Sequence, residues 1–196
     1  MNSTRLEAFT DGVIAIVITI MVLELHVPHG ADLAALKAQS PVLLAYVLSY
    51  VNVGIFWNNH HHMLHATEKV NGAVLWANLN LLFWLTLVPF VIRWIDETGF
   101  TTAPVAAYGL VLAGAAIGYV ILQRQLIAAN GGAQSKLAKA LGNDVKGKLS
   151  LLLYVLGFAT AFFEPWLAIA VYIAVALMWL IPDRRIEDRV KPAKPG

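Results

Sequence analysis

The chain has 196 residues, 59% of them hydrophobic and only 13% charged, with a mean hydropathy of +0.67. A soluble domain carries about 25% charged residues, so this composition excludes an ordinary water-facing surface and points to an all-α protein solvated by lipid. The absence of cysteine excludes a disulfide frame and a thiolate metal site, and the net charge of +2 informs only through its distribution.

Crossing a hydrocarbon core of about 30 Å takes roughly 20 helical residues. Six crossings are predicted, over residues 9–25, 42–63, 73–95, 105–127, 149–163 and 165–181. The first opens on Arg5, Phe9, Thr10 and Asp11 and then turns wholly apolar from Val13 to Leu23. A charge at the edge of a span is costly unless paired or hydrogen-bonded, so Arg5, Thr10 and Asp11 read as parts of a polar lock. The specific polar flank and the lack of a small-residue cleavage site argue against a cleavable signal. At about 100° per residue, Ile16, Ile20 and Leu23 share a narrow stripe, with Thr19 about 60° to one side. Asp11 lies about 140° from Ile16 and Val17 about 100° from it. Such a stripe is most often a lipid or packing face, although hydrophobic constrictions also gate pores by excluding water.

The second span ends Phe56-Trp57-Asn58-Asn59-His60-His61-His62-Met63 and reaches the level of Asp11. Four-residue spacing places Trp57 with His61, and His61 with His65. Histidines one turn apart can share zinc, but there is no HExxH pattern and the sequence shows no third ligand, so the reading is no metal. Trp57, His60 or His61 instead meet Asp11 and Thr10 as hydrogen-bond partners. In the third span Asn78 and Asn80 are expensive in lipid and are expected to face protein. Gly114 and Gly118 in the fourth are spaced for close helix packing. The fifth and sixth are parted only by Glu164-Pro165, read as a turn.

Of the 14 Lys and Arg, only Lys37 and Arg93 fall on one side of this topology. The positive-inside rule then makes both termini cytoplasmic, in a plasma or cell inner membrane. The opposite side carries Glu24, Asp32, Asp96, Glu97 and Glu164, read as an acidic mouth that attracts cations. The long cytoplasmic connection 128–148 is expected to hold a short amphipathic helix. Residues 1–190 form one six-helix domain, and the basic tail 191–196 is expected to be disordered.

Several ordered motifs together resemble the transmembrane protein 175 family of potassium channels. They are Arg5-x-x-x-Phe9-Thr10-Asp11, with threonine for the usual serine, the following apolar helix through Val22-Leu23-Glu24-Leu25, Trp57-x-x-His60-His61, Asn78 with Pro89-Phe90, and Pro182-Asp183-Arg184-Arg185. The resemblance implies a homotetramer whose first helices line a central pore without a Thr-Val-Gly-Tyr-Gly filter. It puts the constriction at Ile16, backed by Ile20 and Leu23, with Thr19 as a pore-lining hydroxyl. Arg5, Phe9, Thr10, Asp11, Trp57, His60, His61 and Asn78 then form the structural lock. The permeant ion it implies is potassium, with no cofactor, no nucleic acid, and the bilayer and copies of itself as partners. The alternatives are a secondary transporter, which usually shows repeats and interrupted helices, and a membrane enzyme, for which no base and nucleophile converge.

Overall fold

A computed structural model describes residues 3–142 and 144–180, and its regular elements are helices. The segment Pro182-Asp183-Arg184-Arg185 and the tail 191–196 lie outside the described residues. Helix α1 covers Ser3–Leu23, a short α2 covers Leu33–Ala38, and α3 covers Ser40–His65. Then come α4, Gly72–Thr86, α5, Val88–Thr98, and the 28-residue α6, Thr102–Ala129. A 3-10 turn at Gly132–Gln134 leads to α7, Lys136–Leu141, α8, Val145–Thr160, and α9, Pro165–Leu180.

Side-chain chemistry sets the boundaries. The Asp32, Asn71, Ser135 and Asp144 side chains accept the amide hydrogens of Ala35, Val74, Ala138 and Gly147, closing the orphan donors of four helix starts. Pro89 cannot donate to the carbonyl one turn back, and its ring crowds that turn. The helix breaks there at Leu87, whose amide bonds to Trp84 rather than Phe83, and the Thr86 hydroxyl takes up the Phe83 carbonyl 2.8 Å away. Helices α4 and α5 thus form one bent apolar rod.

Among the described residues, four elements are long and apolar enough to cross a membrane: α1, α3, the α4–α5 rod and α6. Contacts fix their directions. Thr10 bonds to Asn78 and Glu24 reaches Arg93, so α1 runs parallel to the α4–α5 rod. Asp11 meets Trp57 while Glu7 meets His61, so α3 runs antiparallel to α1. Asn130, just past α6, accepts from the amides of Glu68 and Lys69 and donates to the Lys69 carbonyl, stitching the end of α6 to the α3–α4 connection. Helices α8 and α9 form an antiparallel hairpin: Trp179 donates to Ser150 Oγ at 2.7 Å, and Tyr172 packs on Tyr154. Glu164-Pro165 is therefore a turn between two helices. Each has 16 residues, about 24 Å of helix.

Glycine permits the closest approaches. A Cβ on Gly118 would lie 3.0 Å from the Leu81 backbone, and one on Gly114 would fall inside the Trp84 indole. The fourth predicted span thus packs its small-residue stripe directly on α4, as the 114/118 spacing suggests. The connection between α6 and α8 does contain a short helix, α7, whose Leu137 and Ala140 are buried against the protein.

Candidate functional site

Helix α1 divides cleanly into two faces. Leu6, Thr10, Ile14, Val17 and Met21 recur every three or four residues and are buried against the other helices. The opposite side is turned away from the chain: Ile16 is 59% exposed, Ile20 38% and Leu23 79%, with Phe9, Gly12 and Thr19 beside them. Thr19 Oγ1 donates to the Ile16 carbonyl at 2.9 Å, so its hydroxyl proton is committed to the helix and its oxygen lone pairs face outward. Gly12 leaves this face flat, with nothing within 4 Å of where a Cβ would stand.

The inward side of the same helix begins a polar chain. Asn78 Nδ2 donates to Thr10 Oγ1 at 2.9 Å, and Asn78 Oδ1 lies 2.9 Å from His60 Nε2. All three residues are fully buried. Because the amide oxygen can only accept, His60 must donate from Nε2. Three helices are thereby tied at one level: α1 by Thr10, α4 by Asn78 and α3 by His60. A half-buried Asp11 accepts from Trp57 Nε1 at 2.8 Å as a second tie between α1 and α3.

The structure distributes the expected lock more finely than the sequence reading does. Asp11 takes Trp57, whereas His60 pairs with Asn78. His61 turns to Glu7, with Nδ1 2.6 Å from Oε1. Arg5 and Phe9 stand on the outward face, and the Phe9 ring is about half exposed. Glu7 is the partner the sequence reading missed. It precedes Asp11 by four residues, so helical spacing places the two carboxylates on one face opposite His61 and Trp57, themselves four apart. A second missed set lies deeper: Ser49 donates to Tyr108 OH at 3.0 Å, and Tyr154 OH donates to Asn52 Oδ1 at 3.1 Å. The signal for it is Ser49 and Asn52, three apart in an otherwise apolar run.

At the far end of α1 the acidic residues each have a partner within the chain. Glu24 and Glu97 both bind Arg93, at 3.4 and 2.9 Å, and His26 bonds to Asp96. Asp32 caps α2, and Glu164 accepts from the Trp166 amide in the hairpin turn. Arg93 thus partly neutralises the cluster nearest α1.

A multi-helix membrane protein with a first helix that is polar-tied inside and apolar outside is the class these features define. The family model described as "Endosomal/lysosomal potassium channel TMEM175" matches residues 5–89, the segment that carries Thr10, Asp11, Trp57, His60 and Asn78. A potassium channel of Chryseobacterium sp. (strain P1-3) is 52% identical over 97% of this chain and 99% of its own length. The crystal structure of a lysosomal potassium-selective channel TMEM175 homolog from Chamaesiphon minutus superposes with a TM-score of 0.79 at 25% identity, covering 91% of this chain and 96% of that one. The human endosomal/lysosomal proton channel TMEM175 is 36% identical over 42% of this chain and 19% of its own length. The chain belongs to the TMEM175 channel family. Its relatives are channels, which sets aside the membrane-enzyme reading.

Proposed function

We propose that this chain is one subunit of a homotetrameric, potassium-permeable channel in which α1 lines the pore. The observation that carries the reading is the outward apolar face of α1, with Ile16, Ile20 and Leu23 exposed on the side that meets no other helix among the described residues. A lipid-facing stripe has the same composition; membership of a channel family favours the pore reading. Four copies of Ile16 form a ring of branched apolar side chains that closes the path by dewetting, with Ile20 and Leu23 as further rings. Thr19 offers the nearest hydroxyl oxygen to a hydrated cation. The Thr10–Asn78–His60 chain and the Asp11–Trp57 bond act as the structural lock that fixes the azimuth of α1, with Arg5 and Phe9 at its outward start.

Six crossings per chain and cytoplasmic termini belong to the same reading. Trp166 in the first turn of α9 stacks on Phe100, just before α6, with ring centroids 4.6 Å apart. The other end of the hairpin brings Trp179 beside Tyr119 and Val120 around one crevice. The hairpin therefore lies along α6 over most of its own length, about 24 Å of helix in each arm, against a hydrocarbon core of about 30 Å.

The experiment is potassium flux into liposomes containing the purified chain, with potassium and sodium gradients compared. Ohmic potassium current at channel rates is expected. Saturable, slow exchange coupled to a second solute would replace this reading with the secondary transporter.

A further inference from the structure

The polar lock leaves a neighbouring group of side chains without a role. Glu7 projects from α1, and His61 and His65 stand one turn apart on α3. His61 Nδ1 is 2.6 Å and His65 Nε2 3.8 Å from Glu7 Oε1. The two imidazoles meet edge to face with centroids 4.2 Å apart. One ligand atom from each residue lies within 4.8 Å of the other two. Tetrahedral zinc takes nitrogen and oxygen ligands at about 2.0–2.2 Å, which puts ligand atoms about 3.3 Å from one another. The two separations from the carboxylate bracket that value. All three side chains are partly exposed, so a fourth position is open to water. Two imidazoles with one carboxylate suit zinc-class ions, whereas magnesium and calcium take oxygen ligands.

We propose that Glu7, His61 and His65 form a regulatory zinc-class divalent cation site that cross-links α1 to α3. Without metal, the short contact between His61 Nδ1 and Glu7 is a hydrogen bond. On binding, a neutral imidazole moves its proton from Nδ1 to Nε2 through solvent, or an imidazolium releases its Nδ1 proton to solvent, and Nδ1 donates its lone pair to the ion. Ile16 lies nine residues beyond Glu7 on the same rigid helix, about 13 Å along its axis. Fixing Glu7 to α3 restrains the helix that bears the proposed constriction, so an occupied site lowers potassium flux. This effect on flux rests on the pore reading above; the binding itself does not.

The full chain, purified with a tag that contains no histidine and placed in lipid nanodiscs, is titrated with zinc chloride by calorimetry. Zinc-edge X-ray absorption then reports the ligand shell. One zinc per chain with two imidazoles and a carboxylate is expected, insensitive to excess magnesium. Glu7→Gln and His65→Ala are each expected to weaken binding at least tenfold. His65 is exposed, so its truncation spares the fold. A wild-type chain that retains no zinc, or unchanged affinity in both variants, overturns the site. In liposomes zinc is expected to lower wild-type potassium flux and to leave that of His65→Ala unchanged. Equal zinc responses in the two overturn the regulatory role. A chain that conducts no potassium even without zinc defeats the pore reading and the regulatory role with it, while the titration alone decides the site.

Discussion

Asn78 is the residue on which the polar chain turns. Its amide serves as donor to Thr10 and acceptor from His60, and neither partner reaches water. Replacing it with leucine keeps the volume and strands two polar groups. Each buried group left unpaired costs about 1–3 kcal/mol. Asn78→Leu is therefore expected to lower the thermal midpoint of the detergent-solubilised protein well below that of the exposed control Asn58→Leu; equal midpoints would show that the chain of bonds is not structural. Much of this site was legible in the sequence. Thr10, Asp11, Trp57, His60 and Asn78 are polar residues interrupting apolar helices, and buried polar groups need partners. Which donor meets which acceptor was not legible, because His60 and His61 differ by about 100° in direction and only the relative rotation of α1, α3 and α4 decides between Asn78 and Glu7.

At the scale of the element, the two faces of α1 and the small-residue face of α6 make separable demands. Val17 falls 100° from Ile16 and by spacing alone serves as a neutral comparison. In the fold it is buried, so asparagine at Val17 would report on folding rather than conduction. Val22 is exposed and about 120° from Ile16, which makes it the better comparison. Ile16→Asn is expected to raise basal potassium flux several-fold, because a polar ring holds water where an apolar one sheds it, whereas Val22→Asn leaves it near wild type. Equal flux from both would make the stripe a lipid face. On α6, Gly118→Val sets a branched side chain against the Leu81 backbone, which cannot rotate away as a side chain can. Loss of most folded protein is expected in size-exclusion profiles, while the exposed Ile117→Val runs as wild type. Helix positions were legible because each span is a long apolar run; the break at Leu87 was not read, although Pro89 marks it. The small α2 was missed because its six residues bury no apolar side chain and form chiefly on the Asp32 cap.

For the whole molecule, charge asymmetry and symmetry make the remaining demands. Cysteine is absent, so a single introduced thiol reports its side cleanly. Ala133→Cys, exposed beyond α6, is expected to resist an impermeant maleimide added to intact cells, and Ala31→Cys, exposed beyond α1, to react; the reverse pattern would invert the topology drawn from the positive-inside rule. The proposed assembly rests on geometry. One chain presents one outward α1, and a pathway walled by α1 needs several copies related by a closed rotation. The outward face of α1 also holds no charge between Phe9 and Leu23, so nothing on it obstructs close approach of copies about an axis. Native mass measurement in mild detergent is expected to show four copies, and Ile16→Cys is expected to form disulfide-linked dimers on oxidation, because neighbouring residues of a narrow ring face one another. A monomer that still conducts, or a tetramer in which Ile16→Cys never crosslinks while Leu152→Cys on the exposed side of α8 does, would move the axis of the assembly away from α1.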